Sequence, residues 1–390
     1  MRVSNRIRTV GTPPIPRIME SARKIRESGG SVFSMAQAAP WFGPPPEALA
    51  RLRSLLDERG THSYTPDEGL ASARMAVARD FEERRGIALD SSRELHLTCG
   101  ASQAFLSALI SVTDPGDPVV LLEPWYFDHE FAIRYCGLEP RSAVMGENPG
   151  GWGFPKSLVG AELDRGARAV VLVNPGNPTG CVLDEGELRW LCRATREAGC
   201  FLLVDETYER FNFTGSRWHP WTGRVGENSH VLTFGSFSKS LGVPGWRIGY
   251  LFGHADIMSQ ALKVQDSAVI CPPAPAQILV EAALTGCPGW IEERSREVRE
   301  RLVACRSAVG LARGLEWREP GGAFFSLARL TSGEPSVDAA HRLLETYGIA
   351  AIPGSAFGPA GEGHLRLSFG CLSDEEMRPA LEALASADLS

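Results

Sequence analysis

No apolar run in the 390-residue sequence approaches the roughly 20 residues needed to cross a bilayer, so no membrane partner is expected. No basic block is present either. Lys and Arg number 40 against 47 Asp and Glu, for a formal net charge of -7, which leaves no footprint for a phosphate backbone and excludes nucleic acid as an expected partner. The nine cysteines are scattered, odd in number and contain no C-x-x-C pair. They suggest neither a disulfide framework nor a zinc site; most are expected to be small buried hydrophobes in a reducing cytoplasm. The N-terminus, MRVSNRIRTVG, is basic but no apolar core follows it, so a secretory signal is not expected. Internal repeats and low-complexity segments are also missing.

What remains is an ordinary globular composition, 43% hydrophobic and 22% charged. The length exceeds what one hydrophobic core usually serves, so two domains are expected. Five short runs in the middle of the chain are nearly continuous in Val, Leu and Ile: PVVLLEP (118–124), RAVVLVNP (168–175), CFLLVDE (200–206), HVLTFGS (230–236) and RIGYLF (247–252). Such runs predict strands buried on both faces of a mostly parallel sheet. The helical pattern over 185–199 supplies a crossover between two of them. Leucines at 49, 52, 55 and 56 predict one helix, and Leu70, Ala73, Val77 and Phe81 the face of another. After about residue 285 a charged helix (291–309) leads to strands near AFFSLA and LRLSF. The expected fold class is therefore α/β: a mostly parallel central sheet in a large domain, residues 46–285, plus a smaller α+β domain from 1–45 and 286–390.

The unusual polar residues fall just past the strand ends, where open α/β sheets bind ligands. Lys239, in GSFSK, follows an apolar strand and is flanked by small residues. In a dry crevice its ammonium form is disfavoured, which frees the amine to attack an aldehyde. Arg247 offers a guanidinium fork for a phosphate, and Ser236 a hydroxyl donor; Ser238 fits a helix cap as well. Asp205 ends FLLVD and needs a cationic partner, which a protonated pyridine nitrogen would provide. Tyr208, and Asn177 in NPGNPTG, could donate to a ring oxygen, although NPGNPTG taken alone reads as a plain turn. Gly100, Ala101 and Ser102 open an apolar helix whose free N–H groups suit a phosphate. Tyr126 offers a flat ring to stack on a planar cofactor, or an ordinary core aromatic. Arg366 sits inside an apolar strand and wants an anion, either a substrate carboxylate or a structural partner. An amine for an aldehyde, a carboxylate for a pyridinium and an arginine for a phosphate together describe pyridoxal 5'-phosphate (PLP).

These residues, in this order, resemble the class I/II aminotransferases of PLP fold type I, the aspartate aminotransferase-like enzymes. The resemblance rests on SxSKxxxxxGxRxGY (Ser236 to Tyr250), NPxNPTG (Asn174 to Gly180), DExY (Asp205 to Tyr208) and the late LRLSF, and it runs through nearly the whole chain. It implies that Lys239 binds the cofactor as a Schiff base and later carries the α-proton, and that Asp205 pairs with the ring nitrogen. Asn177 and Tyr208 would hold the ring oxygen, and Tyr126 would stack on the ring. Ala101, Ser102, Ser236, Ser238 and Arg247 would hold the phosphate, and Arg366 the α-carboxylate. Tyr64, in THSYTPDEGL, matches a tyrosine that reaches the neighbouring subunit's phosphate, which implies a homodimer. His129 matches a position that backs the aspartate in some relatives, with an exposed histidine as the alternative.

The arm departs from the family pattern. Where relatives carry Gly-x-Pro-Asp-Phe, this chain reads Ala38-Ala39-Pro40-Trp41-Phe42. Alanine adds a methyl group near the substrate, and the tryptophan is expected at the mouth of the site, enlarging its wall and removing an acid. No second arginine is evident for a side-chain carboxylate. The expected activity is an aminotransferase exchanging amino groups between an α-amino acid and a 2-oxo acid. Elimination, replacement or ring-forming chemistry on the same scaffold is the alternative, and the altered arm is the feature leaning that way. A non-catalytic PLP-sensing regulator is a third reading, disfavoured because the fold fills the chain and Lys239 is intact.

Overall fold

The computed structural model describes residues 2–12, 15–148, 150–222 and 228–390. Its centre is a seven-stranded sheet made, in chain order, of β1 (Leu95–Thr98), β2 (Pro118–Glu123), β3 (Glu139–Val144), β4 (Ala169–Val173), β5 (Phe201–Asp205), β6 (Val231–Ser236) and β7 (Gly249–Phe252). The spatial order is β1-β7-β6-β5-β4-β2-β3, and β7 alone runs antiparallel to its neighbours. The inner strands are buried along nearly their whole length, which is why they read as unbroken apolar runs. Helices cover both faces. The helix Glu185–Glu197 buries Leu188, Leu191, Cys192 and Thr195, one stripe at helical spacing, and starts at an Asp184/Glu187 capping box.

Some expected boundaries shift. The predicted strand at 247–252 starts at Gly249, because Arg247 sits at φ 52, a left-handed conformation that no ladder residue adopts. The helix predicted from Leu49 to Leu56 spans Pro46–Arg53, with proline in its first turn.

The C-terminal part forms a four-stranded antiparallel sheet in the order Leu315–Glu316, Phe325–Leu330, His364–Ser368, Ile352–Pro353. The N-terminal arm joins it: Phe33–Ser34 pairs in parallel with Ile349–Ala350, the Met35 N–H donates to Ala350 O, and the Met35 carbonyl accepts from the Ser368 N–H. One buried carboxylate ties this region to the central sheet. Glu123, at the end of β2, accepts from the Ala360 N–H at 2.8 Å and from the Ser142 hydroxyl. Gly358, at φ +99, lies so close that a Cβ there would sit 2.7 Å from Glu123 Oε1. Among the described residues no helix is long and apolar enough to cross a membrane.

Candidate active site

At the carboxyl ends of β4, β5 and β6 lies a cavity of about 610 Å³. Asn177, Asp205, Tyr208, Lys239, Arg247 and Arg366 all line it, although up to 189 residues separate them in the chain. Ala101, Ser102, Tyr126, Ser236, Ser238 and Ala38 line it too.

Lys239 stands in the four-residue turn of helix that follows β6. It is half-buried. Burial first, then the positive charges of Arg366 and Arg247, lower its pKa from 10.5 to about 8; the Asp205 carboxylate pulls the other way. The lysine is thereby closer to a free amine than a surface lysine is.

Asp205 is buried, lies 3.2 Å from His129 Nε2 in an ion-pair contact, and accepts a hydrogen bond from the Thr207 N–H at 2.9 Å. Among the ion pairs of the described residues, His129 is its one partner; no lysine or arginine lies within 4 Å. His129 itself is buried, its Nδ1 unbonded, packed against Phe105 and edge-on to Tyr126. The histidine thus backs the aspartate, and the exposed alternative is excluded.

The next residue faces a different environment. Glu206 is buried and held by both terminal nitrogens of Arg85 at 2.9 Å, with His219 Nε2 at 3.3 Å. Arg84, Asp80, Glu209 and Arg210 extend this ionic network beneath the strand end.

Arg366 is the most informative group. It is among the largest fully buried side chains, in the strand His364–Ser368. Nη1 donates to Asn177 Oδ1 at 3.0 Å and Nη2 to Ala36 O at 2.5 Å, while Nε has no partner. Phe325 and Phe357 flank the guanidinium at 5.3 and 5.1 Å. None of its partners is a carboxylate, so the structural ion pair weighed from sequence is absent among the described residues. A buried guanidinium without an anion is expensive, and a carboxylate entering the cavity would relieve that cost. Because Asn177 spends its amide oxygen on Arg366, its NH₂ remains available to the cavity.

Three further expectations meet the geometry differently. Ser236 donates its hydroxyl to Ser238 Oγ at 2.7 Å and accepts from the Ser238 N–H at 3.0 Å, so the helix cap is Ser236, and the hydroxyl left to face a phosphate belongs to Ser238. Trp41 does not line the cavity: Arg301 stacks on its ring at 3.6 Å and in turn binds Leu372 O and Asp374. Arg301 belongs to the helix Trp290–Leu311, so the indole packs on that helix. Tyr64 is 81% exposed in this single chain and touches nothing in the cavity.

The cavity residues fit PLP. Asp205 has no lysine or arginine partner among the described residues, the Lys239 pKa is lowered to about 8, and Gly100 at φ 84 opens the helix Ala101–Val112 with no side-chain cap. Its first N–H groups are left for an anion, and a Cβ at Gly100 would lie 2.7 Å from Arg247 Nη2, so the arginine closes directly over the helix start. Sequence reasoning missed Phe127, Phe131 and Tyr135, which line the cavity from the helix Phe127–Tyr135. Their signal was the aromatic spacing in YFDHEFAIRY.

The family model for aminotransferase class I and II matches residues 31–384. An aromatic aminotransferase of Arabidopsis thaliana is 31% identical over 97% of this chain and 94% of its own length. A probable N-acetyl-LL-diaminopimelate aminotransferase of Bacillus subtilis is 32% identical over 90% and 88%. The crystal structure of an aspartate aminotransferase from Rhizobium meliloti superposes with a TM-score of 0.90 at 26% identity, covering 99% and 98% of the two chains. The chain belongs to the class I and II aminotransferases and is a PLP-dependent aminotransferase of fold type I.

Proposed function

We propose that the cavity is where amino groups are exchanged between an α-amino acid and a 2-oxo acid, with Arg366 as the anchor for the substrate's α-carboxylate. The observation that carries this reading is the buried guanidinium with no anionic partner, in the same cavity as a lysine whose pKa is drawn down to about 8. When bound, PLP supplies an electrophilic aldehyde and a ring that draws electrons from the substrate's α-carbon.

The chain's own residues then divide the work. Lys239 Nζ would hold the cofactor, and its amine, when free, would serve as the base for the substrate's α-proton. Asp205 keeps the ring nitrogen protonated, with His129 fixing the carboxylate's direction. The Asn177 NH₂ and the Tyr208 hydroxyl, neither used within the protein among the described residues, hold the ring oxygen. Tyr126 covers one face of the ring. The helix start at Gly100, Ala101 and Ser102, with Ser238 and Arg247, holds the phosphate, and Ser236 orients Ser238. Ala38 borders the substrate from the arm.

The assembly belongs to the same reading. Tyr64, exposed in one chain, reaches the phosphate of a second copy, making a homodimer with shared sites. Residues 46–285 act as the large domain, with 1–45 and 286–390 as the small one. Nine free thiols support a reducing, cytoplasmic setting.

The test is spectroscopic. The purified enzyme should absorb as a lysine-bound cofactor, and amino acids should convert it to the pyridoxamine form. Lys239→Ala should abolish the first signal, and Arg366→Ala should raise KM for every α-amino acid. If substrate is consumed without the pyridoxamine form appearing, the reading is wrong.

A further inference from the structure

The arm borders the cavity and is tied down on either side of it. On one side the Ala36 carbonyl accepts from Arg366 Nη2 at 2.5 Å, and Met35 is bonded to Ala350 and Ser368. Gln37, Ala38 and Ala39 then line the cavity. On the other side the Phe42 and Gly43 carbonyls lie over Gly242, three residues beyond Lys239. Gly242 sits at φ +67, and a Cβ there would be 2.3 and 2.7 Å from those two oxygens.

Trp41 stands between the two ties, where the arm departs from the family pattern. The Arg301 guanidinium lies over its ring at 3.6 Å, and Phe42 meets it edge-on at 4.9 Å. Arg301 is itself buried and held: Nη1 donates to Leu372 O at 2.6 Å and Nη2 binds Asp374. Leu372 and Asp374 follow the strand His364–Ser368 in the chain, so one guanidinium joins Trp41 to the continuation of the strand that carries Arg366. The stretch from Gln37 to Pro40 is therefore spanned between two attachments to the same C-terminal segment. A planar guanidinium fixed by backbone and carboxylate presents its face to an indole with little further loss of freedom.

Asp205, Lys239 and Arg247 lie instead at the ends of central-sheet strands, and none of them bonds to the arm. Releasing Trp41 would loosen Ala36 to Ala39, with one of the two groups that Arg366 bonds and one wall of the pocket, while the cofactor's own contacts stay in place. A substrate would then have to order the arm as it binds, which costs affinity.

Resting on the reading of Arg366 as the α-carboxylate anchor, we infer that Trp41 is a positioning residue for substrate binding: clamped by Arg301, its ring holds Ala36 to Ala39 over the cavity and keeps Arg366 aimed.

Single-turnover conversion of the holoenzyme to its pyridoxamine form, followed against the concentration of alanine, phenylalanine, methionine or aspartate, separates half-saturation from limiting rate. In Trp41→Leu the half-saturation should rise at least about fivefold for each amino acid that converts the wild type, the order of one desolvated cation–aromatic contact. The limiting rate and the PLP affinity from spectroscopic titration should stay within about twofold. Trp41→Phe, which keeps an aromatic face, should restore most of the loss. Arg301→Leu should raise half-saturation in the same way, and it carries the test if Trp41→Leu does not fold. The double variant should be no weaker than Arg301→Leu alone. Unchanged half-saturation in both single variants would overturn the inference. So would a parallel fall in limiting rate and PLP affinity, a Trp41→Phe as impaired as Trp41→Leu, or effects that multiply in the double variant. If no amino acid converts the wild type, the transamination reading fails and the inference with it.

Discussion

The acidity of Lys239 is open to direct measurement. With a pKa of about 8 in place of 10.5, roughly one Lys239 in ten is a free amine at pH 7, against about one in three thousand for an ordinary lysine, a gain of roughly 300-fold. The causes have opposite signs, which makes the expectation specific. Arg366→Met removes a neighbouring cation and should raise the pKa; Asp205→Asn removes the carboxylate that favours the ammonium and should lower it. Trace acetylation of the apoenzyme against pH, with Lys239 quantified by mass spectrometry beside surface lysines, reads the midpoint without requiring cofactor binding. A linked effect on stability follows. The unfolded chain keeps this proton up to about pH 10.5 while the folded chain releases it near 8, so the apoenzyme should gain stability as pH rises through that window, by about 3 kcal/mol from this group. A wild-type midpoint near 10, or the two variants shifting in the same direction, would refute the reasoning.

Three more outcomes follow from the geometry. Arg85→Met strands a buried Glu206 and should cost about 3–5 kcal/mol in urea unfolding, whereas the Arg85→Met/Glu206→Leu double variant should recover most of it. Gly100→Ala places a methyl group against Arg247 at a positive φ, and PLP affinity, read by spectroscopic titration, should fall tenfold or more. Gly358→Ala pushes Glu123 off the Ala360 N–H; it should lower the melting temperature, with a loss of about 1–3 kcal/mol, and leave the seven-stranded sheet's circular dichroism in place.

The inner strands were legible because burial on both faces removes any need for polar alternation. Two strands were not. Leu95–Thr98 is only four residues long, and Glu139–Val144 is an edge strand whose polar, exposed residues resemble a loop. In the site, residues that follow a strand directly, such as Asp205 and Lys239, could be placed from order alone. Trp41 could not, because its partner Arg301 lies 260 residues on, and cation–aromatic attraction leaves no local pattern. Ser236 and Ser238 exchanged parts for a similar reason: which hydroxyl caps the short helix depends on backbone angles that composition does not encode.

The bond from Arg366 to Ala36 spans 330 residues, and it has a consequence for synthesis. The arm is among the first parts of the chain to leave the ribosome, yet both its strand partners, Ala350 and Ser368, are among the last. At about 5–20 residues per second, the Met35 to Ala38 segment waits on the order of 15–60 s for a surface to settle on. A chain cut short before the strand His364–Ser368 retains Lys239 but not Arg366, the residue proposed to anchor the carboxylate. Such a chain would also lack the completed sheet on which the arm settles.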